Sequence, residues 1–280
     1  MQTSPSPVVR SDREVVRVTT RSSLVARSGN DVFVRCSFPL EQQVEGWALG
    51  TGVAWFTASP RRRGAGWVTV IADAVTVPVL VQAAAESVGA GLSGVTVPAA
   101  ALPHLAAGLR PTDYNLWDWF FTVTPPPLQA GEDAVGWAEA TDEPAIAALL
   151  DTDSPRHSAR PGEPHVIRWC VIRGADDDRS SLLACAALTE HSPGVAHLAG
   201  IVTRADQRGR GLGRAVTAWI TRQVLAGGAP LVTLGMYADN AAARRVYDAL
   251  GYVEAHQFAS GYLPGRRSPE DVDPVHDEAD

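Results

Sequence analysis

Lysine is absent from this 280-residue chain: its 24 basic residues are all arginine, set against 31 aspartates and glutamates for a formal charge of −7. Proteins that bind nucleic acid or membrane surfaces through general electrostatics are more often basic, so neither partner is expected. Cysteine is scarce. Cys36, Cys170 and Cys185 are odd in number and share no metal-ligand spacing, which argues against a disulfide framework or a Cys-rich zinc site. No metal is expected. Long apolar runs are missing as well, since the longest, residues 75–85, is interrupted by Thr76, Pro78 and Gln82, far short of the roughly 18 residues a spanning helix needs. The opening MQTSPSPVVRSDREVV lacks the continuous apolar block of a secretory signal, so the cytoplasm is the expected compartment.

What is present suits a folded chain. Hydrophobic residues make up 45% of the sequence, enough for a packed core, and the length fits one large domain or two small ones. Charge is uneven. Residues 204–214 hold Arg204, Arg208, Arg210 and Arg214 against Asp206 alone, whereas the closing RRSPEDVDPVHDEAD is strongly acidic.

Two units are expected on either side of TPPPLQAGED, residues 124–133, whose triproline favours extended chain; the boundary is set near residue 130. Residues 1–30 are polar and expected to be only partly ordered, 31–130 to form an N-terminal α/β domain, 131–263 a C-terminal domain, and 264–280 an acidic disordered tail. In the first unit DVFVRCSF, GVAWFTA, GWVTVIAD, LSGVTVP and LWDWFFTV read as strands, being short, rich in Val, Thr and aromatics, and bounded by Gly or Pro. Residues 78–86 and 99–107 read as short helices. In the second unit Thr141 or Asp142 caps a helix that places Ile146, Leu149 and Leu150 on one face. Residues 165–173, 181–190 and 195–203 read as three strands. From Gly211 the period becomes helical, with Leu212, Ala215, Val216, Trp219, Ile220 and Val224 in phase until Gly227-Gly228. A strand at 231–236, a helix opened by Asn240 and ended by Gly251, and a last strand at 252–262 complete the pattern. The fold class is α/β with a mixed sheet.

The sharpest feature is QRGRGLG, residues 207–213, lying between an apolar strand and an amphipathic helix. Glycines let successive N–H groups converge, and the helix adds its positive end, so such a turn can cradle a phosphate. It is neither a dinucleotide fingerprint, which needs an acidic residue after a second strand, nor a Walker loop, which needs lysine.

Arg208-Gly209-Arg210-Gly211-Leu212-Gly213 resembles the R-x-x-G-x-G signature of the GNAT superfamily of acetyl-CoA-dependent N-acyltransferases. Asn240, Ala243, Tyr247 and Gly251-Tyr252 resemble the N-x-x-A-x-x-x-Y-x-x-x-G-[FY] pattern that follows it there. The resemblance covers roughly residues 131–263. Ala205 departs from it, standing where proline is common, and is expected to loosen the turn. The N-terminal run GWVTVIADAVTVPVLVQAAAE has the same strand-then-helix order without the glycines. It resembles a degenerate copy, giving two related α/β domains in tandem; the alternative is an unrelated small α/β domain.

The resemblance implies an acetyl-CoA cosubstrate held between two parallel strands, with its pyrophosphate on the backbone of Arg208, Gly209, Arg210, Gly211, Leu212 and Gly213. The arginines add charge-assisted bonds. It implies that the pantetheine arm pairs with the backbone of Ile201, Val202 and Thr203. Asn240 is either a cofactor contact or a helix cap, and Arg204 and Arg214 are expected to be surface charges. An alkylamine is only about one part in 10³ neutral at pH 7, so the acceptor needs a proton path. Tyr247 is implied as the donor to the leaving thiolate. His197 is the first choice of base, with Glu190 and His191 as rivals. Trp47, Trp55, Trp67, Tyr114, Trp117, Trp119, Phe120 and Phe121 are mostly core, with a few expected at an acceptor pocket between the halves. The expected activity is acetyl transfer to a small-molecule or peptide amine; the alternative is a noncatalytic acyl-CoA-binding sensor or interaction module.

Overall fold

A computed structural model describes residues 14–38, 43–59, 65–174, 182–190, 192 and 194–266. Within them the chain builds one order of elements twice. The first pass runs β1 (Val16–Thr20), α1 (Arg21–Arg27), α2 (Val32–Cys36), β2 (Gln43–Leu49), β3 (Gly52–Ala58), β4 (Gly66–Ile71), α3 (Thr76–Val88), β5 (Leu92–Pro98), two 3₁₀ turns (Ala99–His104 and Ala107–Leu109) and β6 (Asn115–Thr122). The second runs β7 (Val135–Trp137), α4 (Glu143–Asp153), β8 (Val166–Arg173), β9 (Leu182–Thr189), β10 (Ala196–Thr203), α5 (Leu212–Ala226), β11 (Val232–Tyr237), α6 (Ala241–Ala249) and β12 (Val253–Tyr262).

The strands form a single sheet in the order β1-β2-β3-β4-β5-β12-β6-β11-β10-β9-β8-β7. The order is palindromic. In each half three antiparallel pairings lead to one parallel pair, β4 with β5 and β10 with β11. At the centre the halves exchange their last strands: β12 pairs with β5 and β6, while β6 pairs with β11 and β12. The chain is thus a tandem of two related units sharing one sheet, with residue 130 in the segment that links β6 to β7.

Packing follows the same duplication. In the second half α5 covers one face through Val216, Ala218 and Ile220, and α4 the other through Ile146, Leu149 and Leu150. In the first half α3 covers one face through Leu80, Val81 and Ala84, while α1 and α2 cover the other through Leu24 and Val34. The exchanged strands carry core residues across: Phe120 of β6 is fully buried in the second half's core and Ala259 of β12 in the first's. A buried Phe contributes roughly 1.5–3 kcal/mol, so each half depends on side chains from the other.

Two local expectations are corrected. DVFVRCSF contains a helix, not a strand, because the Asp31 carboxylate accepts the Val34 N–H at 3.0 Å and starts a turn that buries Val34 and sets Phe33 against Phe258. Residues 99–107 form 3₁₀ turns because Pro103 prevents an α-helix from continuing. Of the polar N-terminal stretch expected to be partly ordered, residues 16–27 form a strand paired with β2 and a helix. The acidic tail from residue 267 onward lies outside the described residues.

Candidate active site

The site begins where two parallel strands part. β10 and β11 are in register at Ala196↔Val232, His197↔Thr233 and Leu198↔Leu234, and their pairing ends there. The cause lies in β10, whose register against β9 shifts between Ala199 and Val202. Gly200 sits in that shift with φ of 53°, and a Cβ on it would stand 2.6 Å from the Trp169 ring. Glycine is therefore required twice over, for its left-handed backbone and for the indole packed against it. The inner edge of Ile201, Val202 and Thr203 faces the opening. That is the backbone arrangement an extended ligand arm can join as an added strand.

At the end of β10 the chain makes a 3₁₀ turn, Ala205–Gln207, and then the glycine-rich connection into α5. Gly209 and Gly211 have φ of 78° and 83°, and Gly211 is the N-cap of α5 without any capping side chain. The first-turn N–H groups of a helix have no intrahelical acceptors, so here they face the opening as donors. Ala205 does not loosen this turn: its N–H donates to the Asp153 carboxylate at 2.9 Å, a bond proline could not make. Arg208 also ties the turn to the end of α4, donating to the Asp153 carbonyl at 2.8 Å and to the Thr203 carbonyl at 3.3 Å.

Together these elements enclose a cavity of about 890 Å³, a volume typical of a cofactor-sized ligand. Its lining includes every residue implied to hold the cosubstrate: Ile201, Val202, Thr203, Arg208 to Gly213, and Asn240. Arg156, Arg208, Arg210, Arg214 and Arg245 line it against the carboxylate of Asp153, so its field is positive. Arg214 is an exposed charge, as expected, and stands on the cavity wall, while Arg204 turns aside to pair with Asp206 at 2.7 Å. Asn240 caps α6 by accepting the Ala243 N–H at 3.0 Å, and it also lines the cavity.

Tyr247 also lines it. Burial, 5% exposed, holds its phenol above the ordinary tyrosine pKa, so it is protonated at neutral pH. Phe120 from the exchanged strand β6 and Tyr252 flank its ring, with centroids 5.9 and 6.0 Å away. Tyr247 further lines a second chamber of about 100 Å³, which abuts the first and is walled by Trp117, Gly200, Met236, Tyr237 and His157. Trp117 is the one expected aromatic of the first half to reach either chamber; Trp47, Trp55 and Trp67 are core.

The expected bases are elsewhere. His197 lies in the closed part of the β10–β11 pair, its Nδ1 2.8 Å from Thr233 Oγ1. Burial, helped by His165, lowers its pKa to about 4, and it lines neither chamber. Glu190 is exposed beyond β9 and accepts the Gly194 N–H at 2.7 Å. His191 lies outside the described residues. Sequence reasoning missed Gly200, Arg156 and His157: the first is an isolated glycine in a strand, and the others belong to a loop without a motif.

A parallel pair opened by a bulge, with a glycine turn feeding a helix at its mouth and a buried tyrosine across from it, defines an acyl-CoA-dependent transferase. Residues 105–252 match the acetyltransferase (GNAT) family model, and the chain belongs to that family. The match begins before β6, in keeping with the place of that strand in the second half. A GCN5-related N-acetyltransferase from Sphaerobacter thermophilus is similar over 92% of this chain and 98% of its own, at 16% identity and a TM-score of 0.56. A tandem GNAT protein from the clavulanic acid biosynthesis pathway is similar over 92% and 99%, at 14% identity and a TM-score of 0.46. A GCN5-related N-acetyltransferase from Kribbella flavida covers 76% and 87%, at 22% identity and a TM-score of 0.46. No curated protein matches the chain by sequence.

Proposed function

We propose that the chain transfers an acetyl group from acetyl-CoA to a primary amine by direct attack on the thioester. The observation that carries this reading is the splayed β10–β11 pair with its donor-lined, arginine-rich cavity, which meets a smaller chamber at Tyr247. In it, the N–H groups from Gly209 to Arg214, with Arg208 and Arg210, hold the pyrophosphate, and the backbone of Ile201 to Thr203 holds the pantetheine arm. The amine enters from the smaller chamber. Tyr247 donates to the sulfur as the C–S bond breaks, a task for which a phenol kept protonated by burial is suited.

No metal enters this reading; among the described residues no group of three His, Cys, Asp or Glu side chains is placed to hold one. Its three cysteines are free thiols, which fits a reducing, cytoplasmic setting, and no described helix is long and apolar enough to cross a membrane. The experiment is turnover of acetyl-CoA against benzylamine, spermidine, glucosamine and a tripeptide amide, read as free thiol and confirmed by the mass of the acetylated product. Acetylation of at least one amine is expected. Tight CoA binding with no turnover across the panel would favour the noncatalytic acyl-CoA-binding alternative.

A further inference from the structure

An ammonium acceptor must shed protons before and during attack, and neither His197 nor Glu190 reaches the chambers. The loop of residues 154–163, after α4, supplies what they do not. His157 lines the smaller chamber with Tyr247. Its backbone N–H and its ring Nδ1 both approach the Ser154 carbonyl, at 3.0 and 2.8 Å. A carbonyl only accepts, so Nδ1 carries the hydrogen, and the neutral ring keeps its lone pair on Nε2.

The loop is fastened at several points, so the ring is held in place. The Ser154 N–H bonds the Leu150 carbonyl at 2.9 Å, and the Arg160 N–H bonds the Glu163 carboxylate at 2.7 Å. Arg160 pairs with Asp151, and Ala159 is buried beside Leu150 and Trp169. From the same loop Arg156 reaches across the cleft to Asp239 at 3.1 Å and lies 4.1 Å over the Tyr237 ring.

The other charged or titratable groups around the smaller chamber are Arg156 beside His157, Tyr237 from β11 and Tyr247 from α6. An arginine has no lone pair to offer, and phenols stay protonated near neutrality. Asp153, in the larger cavity, is committed to the Ala205 N–H and to Arg208.

We propose that His157 Nε2 is the proton acceptor of the transfer, placed at the amine side by the fastened 154–163 loop. The inference rests on the acetyl-transfer reading above. Of the three ammonium protons, one passes to His157 Nε2, freeing the nitrogen lone pair to form the C–N bond. The C–S bond breaks with its electron pair on sulfur. Sulfur takes a proton from Tyr247, whose phenol regains it from the second nitrogen proton, and the third stays on the amide. The His157 imidazolium then releases its proton to solvent.

The test is His157→Asn, whose amide can keep the bond to Ser154 while lacking any group at Nε2, with His157→Gln as a second variant. Steady-state rates are measured from pH 5.5 to 9 with acetyl-CoA and the best amine of the panel, alongside CoA calorimetry and melting curves. We expect both variants to melt like the parent and bind CoA equally, to lose roughly 10²- to 10⁴-fold in kcat/KM at neutral pH, to lose the rising acid limb of the profile, and to recover partly with added imidazole. Parental kcat/KM and pH profile in either folded variant would overturn the inference and leave acetyl transfer standing. So would a loss with an unshifted profile and no imidazole rescue, which would make His157 a structural part of the loop. A parent that turns over no amine would overturn acetyl transfer, and this inference with it.

Discussion

The two halves share one strand order and differ most tellingly where β4 meets α3 and β10 meets α5. In the second half the strand pair separates, and the helix starts on Gly211 with its donors facing a cavity. In the first half the corresponding donors are already taken: the Asp73 carboxylate accepts the N–H groups of Val75 and Thr76, both at 2.9 Å, and the Thr76 hydroxyl at 3.0 Å. Those bonds hold the Asp73 carboxyl below the usual aspartate pKa, so the helix start carries its own anion.

The gap between the parallel strands is closed there too. β4 and β5 shift register once, between Gly66 and Trp67, and then pair through Thr69↔Thr96, with the Trp67 ring lying over Gly94, where a Cβ would stand 2.1 Å from it. The Trp67 indole donates to Thr96 Oγ1 at 2.8 Å, the Thr96 and Ser260 hydroxyls are hydrogen-bonded at 2.6 Å, and Trp117 donates to Ser260 at 2.8 Å. One copy thus spends its polar groups on itself and the other offers them to a ligand. The duplicated fold alone does not make a site; an uncapped glycine turn and an opened strand pair do.

The largest effect is expected from undoing the exchange of strands. Residues 14–128 lack β12, and residues 129–266 lack β6, so each fragment has a vacant slot beside its last strand. Neither should show a cooperative melt by circular dichroism alone, whereas the mixture should regain one. A folded 129–266 fragment would mean that the two copies are independent. Next in size is Tyr247→Phe, which keeps the ring packed on Phe120 and removes the donor: kcat should fall roughly 10²- to 10⁴-fold with CoA affinity and melting temperature unchanged. Unaltered turnover would return Tyr247 to the core.

His197 gives a smaller effect, visible in stability. Its folded pKa, about 4, lies below its ordinary 6.5, so the unfolded chain binds the extra proton as pH falls. Its contribution is full above pH 6.5 and is lost as pH drops toward 4. Replacing it with Gln should flatten that part of the stability curve by up to roughly 3 kcal/mol in urea titrations. If the mutant keeps the parental slope over this interval, His197 is not the group that titrates.

Much of the second half was legible because its signals are local. The Leu212 to Val224 period, the Gly227-Gly228 stop and the Asn240 cap all lie within a turn or two of what they determine, and α5 and α6 form where they predict. The QRGRGLG turn was legible for the same reason, since the Gly209 and Gly211 conformations follow from residue type. What stayed hidden is non-local. Nothing in LWDWFFTV says that it will lie between β11 and β12, and Gly200 looks like any strand glycine until Trp169 packs against it. The β-propensity of DVFVRC is overridden by the local Asp31 cap together with packing from across the fold, where Phe33 meets Phe258. His197 sits on the expected strand, but the register that pairs it with Thr233 keeps it in the closed part of the pair, and only the folded loop brings His157 to the chamber.

Whether one copy binds acyl-CoA while the other has closed its equivalent site is decided by calorimetric titration with CoA of the parent, Gly211→Asp and Asp73→Ala. Aspartate at position 211 adds strain at a left-handed φ and a negative charge where we propose the pyrophosphate sits. The account predicts one CoA per chain for the parent, no measurable binding for Gly211→Asp, and parental affinity and stoichiometry for Asp73→Ala with a slightly lower melting temperature. Two equivalents of CoA per chain, unchanged binding by Gly211→Asp, or loss of binding in Asp73→Ala would contradict it.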